Sequence, residues 1–145
     1  MSILLGRENR VLIQGITGKL GQFSAGDLPA YGTPVVAGVV PGRAGSEVAG
    51  VPVFSAVRDA VEATAADTAL VYVPPESALD AVTEAFEAGC RLVVYPGDGL
   101  PAQDAMAMRS VAGAHGATLV GPNTPGLISP GKAKLGFMPS SCYLP

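Results

Sequence analysis

The chain reads Gln14-Gly15-Ile16-Thr17-Gly18-Lys19-Leu20-Gly21 directly after the apolar run Val11-Leu12-Ile13 and before a segment compatible with a helix. Three glycines therefore fall where a strand is expected to turn into a helix. Glycine has no Cβ, so backbone N–H groups can approach an anion closely, and the first N–H groups of a helix have no partner within it. The positive end of the helix dipole adds to that attraction. The stretch predicts a phosphate site, and a ligand that carries a pyrophosphate.

Apolar segments alternate with amphipathic ones along the rest of the chain. Predicted strands span residues 10–15, 34–39, 51–54, 68–73, 91–95 and 117–120, and predicted helices span 20–31, 55–64, 76–88 and 102–114. Leu70-Val71-Tyr72-Val73 and Leu92-Val93-Val94-Tyr95 are apolar without alternation, as strands covered on both faces must be. The predicted fold class is α/β: a Rossmann-like, doubly wound, mainly parallel sheet with helices on both faces.

Two helix ends can be assigned from local sequence. Leu79, Val82 and Phe86 fall on one face of the third helix, and Gly89 supplies its stop. Ser55 is predicted to cap the N-terminus of the second helix with its hydroxyl.

Composition limits the classes of function. The chain has 145 residues, 48% of them hydrophobic, which fits one domain with a substantial core. Charged residues make up 14% and the net charge is -3, so no broad basic face for nucleic acid is expected. No apolar run is long enough to cross a membrane, and the N-terminus lacks a signal-peptide pattern, so a cytoplasmic location is expected. Cys90 and Cys142 fit no metal spacing, so no metal site is predicted, and Cys90 is expected to be buried.

The end of the second predicted strand distinguishes between nucleotide ligands. A carboxylate that would accept hydrogen bonds from the ribose hydroxyls of NAD is missing there, and the chain runs instead into Pro41-Gly42-Arg43. A guanidinium suits a ribose that carries a phosphate. NADP and coenzyme A both combine such a phosphomonoester with a pyrophosphate, while a solvated loop cation remains the simplest alternative for Arg43.

Later strands end in turns rich in proline and glycine: Val73-Pro74-Pro75, Tyr95-Pro96-Gly97-Asp98-Gly99-Leu100-Pro101 and Gly121-Pro122-Asn123-Thr124-Pro125-Gly126. In an open α/β sheet, ligands bind outside the carboxyl ends of the strands. A groove is therefore expected to extend from the glycine turn across these loops, unless they serve only as rigid connectors.

Taken together, these turns resemble the N-terminal coenzyme A-binding domain of the succinyl-CoA synthetase α subunit and of related acyl-CoA synthetases. The matching stretches are Gln14-Gly15-Ile16-Thr17-Gly18, Ala30-Tyr31-Gly32-Thr33, Val39-Val40-Pro41-Gly42, Gly50-Val51-Pro52-Val53-Phe54, Val71-Tyr72-Val73-Pro74, Gly121-Pro122-Asn123, Pro125-Gly126 and Pro130-Gly131. The resemblance covers almost the whole chain. It implies a domain over residues 1–125, followed by an extension over 126–145 that leads toward a second domain.

The resemblance also implies which residues bind coenzyme A. The implied binding residues are Thr17, Gly18, Lys19, Leu20, Gly21, Arg43, Val73, Pro74, Pro96, Gly97, Asp98 and Asn123. Arg43 stands at the family's usual lysine and Leu20 where the family commonly has glutamine, so one side-chain hydrogen bond is lost. Asp98 stands where the family has a glutamate, and is expected to accept hydrogen bonds near the thiol-bearing arm.

Family chemistry implies a nucleotide-derived phosphoryl group, a relay histidine in a second domain, and attack of the coenzyme A sulfur on an acyl phosphate. No catalytic residue is predicted in this chain, and His115, its sole histidine, is expected at the surface near a helix end. A nucleotide-grasping β subunit or fused domain is the implied partner. The chain alone is expected to bind without turnover; an NADP-dependent reductase domain and an independent coenzyme A-binding module remain alternatives.

Overall fold

The computed structural model of the protein describes residues 3–143, so residues 1, 2, 144 and 145 of the predicted domain and extension lie outside it. Strands are β1 (Val11–Gln14), β2 (Val35–Val39), β3 (Glu47–Val48), β4 (Val51–Phe54), β5 (Thr68–Val71), β6 (Leu92–Val94), β7 (Thr118–Val120), β8 (Gly126–Ser129) and β9 (Ala133–Gly136). Helices are α1 (Lys19–Tyr31), α2 (Val57–Thr64), α3 (Pro75–Glu87) and α4 (Ala102–Ala114), and a 3₁₀ turn spans Ser140–Cys142. Within residues 3–143, no helix has the length and apolarity needed to span a membrane.

Seven strands form one sheet in the order β3-β4-β2-β1-β5-β6-β7. All neighbouring pairs are parallel except β3 with β4. The chain builds outward from β1 on one side through β2 and β4, then returns to the other side with β5. Gln14, at the end of β1, is in register with Val39 of β2 and Val71 of β5. The fold class is confirmed, and the topological switch point lies between β1 and β5.

Apolar side chains on both faces of β1 explain why the whole strand is buried. Leu12 packs in a core with residues of α2, α3 and α4, whereas Val11 and Ile13 pack in a second core with Ala25 and Leu28 of α1. Three helices therefore cover one face of the sheet, and α1 covers the other.

Of the two helix ends that were predicted from local sequence, one is confirmed and one is wrong. Gly89 does end α3, with φ at +103° and its N–H donating to Phe86 O (3.0 Å). The prediction that Ser55 caps α2 is wrong: the helix begins at Val57, whose N–H donates to Glu84 Oε1 of α3 (2.8 Å). Ser55 Oγ instead accepts a hydrogen bond from the Ala44 N–H (3.3 Å). The Glu84 carboxylate of α3 therefore caps α2 in place of the predicted Ser55 hydroxyl.

Three strands were not predicted: the short β3 and the antiparallel pair β8–β9. The pair lies in the segment 126–145 that the sequence treated as an extension. Ala133 and Leu135 of β9 are fully buried in the same core as Leu28 of α1 and Val11 of β1. Residues 126–136 therefore complete the α1 face of the sheet.

The two cysteines differ sharply in environment. Cys90 is buried as predicted, and its burial, with a smaller contribution from the nearby Asp67 carboxylate, raises the pKa of its thiol to about 12. Cys142 is exposed. At about pH 8 the native protein is expected to react with an aromatic disulfide reagent at one thiol quickly, and at the second only on unfolding, because the thiolate is the nucleophile. Two thiols that react at the same rate in the native protein would contradict this burial.

Candidate functional site

A cavity of about 540 Å³ opens at the carboxyl edge of the sheet, over the switch point. It is lined by Gly15, Gly18, Lys19, Leu20, Gly21, Val71, Tyr72, Val73, Pro74, Pro96, Gly97, Asp98, Asn123 and Phe137. All the predicted site residues except Thr17 and Arg43 are in this lining. A second cavity, of about 620 Å³ between α4 and β7, contains none of them. The first cavity is the candidate site because the predicted residues converge on it.

The glycine turn is shaped by close backbone approaches. Gly15 has φ at +79°, and a Cβ there would lie 2.2 Å from Tyr72 O, which is backbone of the strand-to-helix connection after β5. A Cβ on Gly21 would lie 2.3 Å from Gly15 O and 2.6 Å from Ile16 Cα. Gly15 therefore lets the turn after β1 lie against the backbone that follows β5, and Gly21 lets the first turn of α1 pack directly against the end of β1. A tight turn and close helix packing are the roles of the outer glycines in a dinucleotide-binding turn.

The N-terminus of α1 is electrostatically uncompensated. Gly18 occupies the N-cap position without a side-chain hydrogen bond, and the first turn contains no acidic residue. The hydrogen bond from Gln22 N–H to Gly18 O (2.9 Å) is the first one of α1. The N–H groups of Lys19, Leu20 and Gly21 come before it in sequence, so they have no acceptor within the helix. These three residues line the cavity. A helix N-terminus with a cation in place of the usual acid is suited to an external anion.

The two predicted residues outside the lining lie in adjacent turns. The carbonyl of Thr17 accepts a hydrogen bond from Gln22 Nε2 (2.7 Å), which fixes the turn from outside the cavity. Arg43 is exposed in the turn after β2, where its carbonyl accepts a hydrogen bond from Ser46 Oγ (2.7 Å). That turn starts next to the glycine turn, because Gly15 N–H donates to Val39 O (2.9 Å).

The loops after β6 and β7 are joined to one another at the cavity. The Asn123 N–H donates to Gly97 O (2.7 Å). Tyr95 is fully buried below Gly97, where an added Cβ would lie 2.4 Å from the phenol oxygen. Burial, and then the nearby carboxylates of Asp98 and Glu76, raise the pKa of Tyr95, so this phenol stays neutral and supports the loop.

Four lining residues were not among the predicted site residues: Gly15, Val71, Tyr72 and Phe137. The Tyr72 phenol shares a hydrogen bond with Ser24 Oγ of α1 (2.8 Å). Burial raises the pKa of Tyr72, as does Asp27 to a smaller extent, although the hydrogen bond with Ser24 opposes this. Gly15 belongs to the glycine turn that the sequence identified. Val71 and Tyr72 lie at the carboxyl end of β5, at the edge where the cavity was expected. Phe137 had no sequence signal, because it enters the cavity from the unpredicted β8–β9 segment.

Within residues 3–143 no cluster of His, Cys, Asp and Glu could hold a metal ion. His115 follows the end of α4, exposed as predicted, with Nδ1 2.9 Å from Val111 O and its ring stacked on Phe86. It is not part of the cavity lining. The cavity thus offers backbone donors, one lysine, one carboxylate and apolar walls. These groups are suited to binding a ligand that has both anionic and apolar parts.

Comparisons with known proteins agree with this geometry. The family described as "CoA binding domain" matches residues 6–96. The α subunit of the ADP-forming succinate–CoA ligase of Aquifex aeolicus is 47% identical over 145 residues, which are 99% of this chain and 48% of that subunit. The malate–CoA ligase α subunit of Methylorubrum extorquens is 48% identical over 149 residues, covering all of this chain and 50% of that subunit. This chain spans about half the length of those relatives.

A solved structure shows the same fold at low sequence identity. ATP citrate lyase from Methanothrix soehngenii, in complex with citrate and coenzyme A, aligns with a TM-score of 0.81 at 20% identity. The alignment covers 92% of this chain and 24% of that one.

Proposed function

The chain belongs to the family of CoA-binding domains, and from this premise we propose that it is the coenzyme A-binding part of a carboxylate–CoA ligase. The family match confirms the predicted cofactor, and the relatives named as ligase α subunits support the reaction class. The observation that carries the proposal is the uncompensated N-terminus of α1, open to a cavity at the switch point.

Apart from its adenine, coenzyme A has three chemically distinct parts, and we propose a place for each at the edge of the sheet. The diphosphate lies against the N–H groups of Lys19, Leu20 and Gly21, with the Lys19 ammonium nearby. The ribose phosphomonoester lies on the β2 side, where the exposed Arg43 can form a bidentate contact. The pantetheine arm extends the other way, over the loops after β5, β6 and β7, with Asp98 as a hydrogen-bond acceptor.

In the complete enzyme, this site holds the nucleophile. A phosphoryl group from a nucleoside triphosphate activates the carboxylate as an acyl phosphate, by way of a histidine outside this chain. The coenzyme A sulfur then attacks the acyl carbon: the C–S bond forms, the C–O bond to phosphate breaks, phosphate leaves and the thiol proton is released. His115 is not proposed as the relay, because it stacks on Phe86 and does not line the cavity.

The relatives also bear on the partner and on the acid of the complete enzyme. Relatives of twice this length are named α subunits, which supports a larger enzyme in which a nucleotide-grasping β subunit or fused domain supplies the phosphoryl group. Relatives named for succinate and for malate are almost equally similar to this chain, at 47% and 48% identity. The proposed substrate is therefore a carboxylate.

The phosphomonoester contact has a direct test in Arg43→Glu. Calorimetric titration is expected to show coenzyme A affinity falling about tenfold to a hundredfold, and dephospho-coenzyme A affinity changing less than about threefold, because only the former carries the phosphate that loses its cation. Arg58→Glu, the same charge change at an exposed position on α2, is the matched control. Equal losses for the two ligands would show that Arg43 does not read the ribose phosphate.

The same titration separates the alternatives. NADP binding more tightly than coenzyme A to the wild-type protein would favour a reductase domain over a ligase. An independent coenzyme A-binding module would bind coenzyme A equally well but would not assemble with a nucleotide-grasping subunit, which size-exclusion chromatography of the co-expressed proteins would show.

A further inference from the structure

Phe137 is an exposed aromatic side chain at the cavity. It follows β9, has 43% of its surface exposed and contributes to the cavity lining. Its N–H donates to Pro125 O (3.2 Å), in the loop after β7. Leu20, 47% exposed on the first turn of α1, lines the same cavity. Two large and partly exposed apolar side chains thus border a cavity that is also lined by smaller apolar residues, one lysine and one carboxylate.

A buried ion pair holds the segment that carries Phe137. Lys134 of β9 is fully buried, and its Nζ lies 2.5 Å from Asp27 Oδ2 of α1. The same ammonium donates to Met138 O (2.6 Å) and to Ser140 Oγ (2.8 Å). Lys134 precedes Phe137 in sequence, and two of the three polar partners of its ammonium, Met138 and Ser140, follow Phe137. The third partner, Asp27, ties this segment to α1. Burial disfavours a charged lysine unless it is paired and hydrogen-bonded, so removing one partner is expected to loosen this segment.

The order of the strands indicates which part of the ligand Phe137 meets. Arg43 follows β2, on one side of β1, whereas the loop that Phe137 contacts follows β7, at the other end of the sheet. With the phosphomonoester at Arg43 and the diphosphate at the start of α1, the pantetheine arm is the portion that extends toward β7. That arm carries two methyl groups on one carbon and several methylene groups between its amides, and these apolar groups suit an aromatic wall.

We propose that Phe137 is an apolar wall for the pantetheine arm of coenzyme A, and that the buried Lys134–Asp27 pair is the device that positions it. This inference rests on the proposed function. Phe137 is the binding residue, and Lys134 and Asp27 are positioning residues that act through it.

The first test compares two ligands on one variant. In Phe137→Ala, coenzyme A affinity is expected to fall about tenfold, while the affinity for 3′-phospho-ADP, which lacks the pantetheine arm, stays within about twofold. Phe23→Ala is the matched control, because Phe23 is a similarly exposed aromatic on α1 that does not line the cavity. An unchanged coenzyme A affinity in Phe137→Ala, or an equal loss for both ligands, would overturn the inference while leaving the proposed function intact. A wild-type protein that binds neither ligand would overturn the proposed function.

The second test asks whether the ion pair acts through Phe137. Asp27→Asn is expected to weaken coenzyme A several-fold and 3′-phospho-ADP little, and to cause no further loss in the Phe137→Ala background. A merely structural role would lower the affinity for both ligands, or add its effect to that of Phe137→Ala, and either result would overturn the positioning role. If Asp27→Asn fails to fold, as circular dichroism would show, Ser140→Ala keeps the ion pair and removes one contact of the ammonium. The same ligand selectivity is then expected at smaller amplitude, and its absence counts against the proposal.

Discussion

Replacing Gly18 with leucine is expected to lower coenzyme A affinity about a hundredfold or more, which is ~3 kcal/mol, while the protein stays folded. Gly18 lines the cavity at the N-cap of α1, with φ at -72° and ψ at 168°, a conformation open to any L-residue. Outside its own helix and chain neighbours, the single atom within 4 Å of an added Cβ is Gly15 O, at 3.4 Å. The protein therefore has room for a Cβ at this position, and the rest of the leucine side chain is expected to occupy the space that the diphosphate needs.

The control for this variant lies in the same helix. Gly26 is exposed, and an added Cβ there meets no atom within 4 Å. Gly26→Leu should keep coenzyme A affinity unchanged, because it adds the same bulk away from the cavity. Calorimetric titration with coenzyme A and with 3′-phospho-ADP measures both variants. If Gly18→Leu bound the two ligands as tightly as the wild type, the diphosphate could not lie at this junction.

The second large effect concerns stability. Gly21→Ala is expected to lower the free energy of unfolding by about 2–4 kcal/mol, because the new Cβ would lie 2.3 Å from Gly15 O and 2.6 Å from Ile16 Cα. Both are backbone atoms, so relief requires the start of α1 to move away from β1. Chemical denaturation monitored by circular dichroism measures the loss.

Gly26→Ala is the matched substitution for that experiment. It makes no close contact, and alanine is favoured over glycine inside a helix, so stability should rise by about 0.5–1 kcal/mol. A Gly21→Ala protein as stable as the wild type would mean that the turn and the helix do not pack as closely as the structure shows.

Gly18 and Gly21, three residues apart, thus have different roles, one in binding and the other in folding. Gly21 is required by the packing of α1 against the turn, whereas Gly18 is compatible with a side chain until a ligand has to enter. A short glycine pattern in sequence does not distinguish these roles. The distinction comes from the atoms that surround each added Cβ.

The parts of the fold that could be predicted from the sequence are those set by residues close together in the chain. The glycine turn, the unalternating strands and Gly89 each act within a few residues, and the elements around them were predicted to within one or two positions. The loops after β5, β6 and β7 could be assigned to one edge because parallel strands end on the same side of a sheet. For this reason most of the predicted site residues do meet in one cavity.

Long-range contacts explain what the sequence did not reveal. Glu84 caps α2 across 27 residues, and a local search finds Ser55 instead. The β8–β9 segment is fastened by Lys134, whose N–H and carbonyl both bond to Thr33 Oγ1 about a hundred residues earlier in the chain, and by its ion pair with Asp27. Phe137 depends on those contacts for its place, so it could not have been recognised as a cavity residue from the sequence.

A crystal structure of the protein grown with coenzyme A is the measurement that tests the central claim most directly. We expect diphosphate oxygens about 3 Å from the backbone nitrogens of Lys19, Leu20 and Gly21, with the ribose phosphate at the Arg43 guanidinium. Coenzyme A bound with its diphosphate away from the start of α1, or a structure with this junction vacant at saturating ligand, would contradict the account.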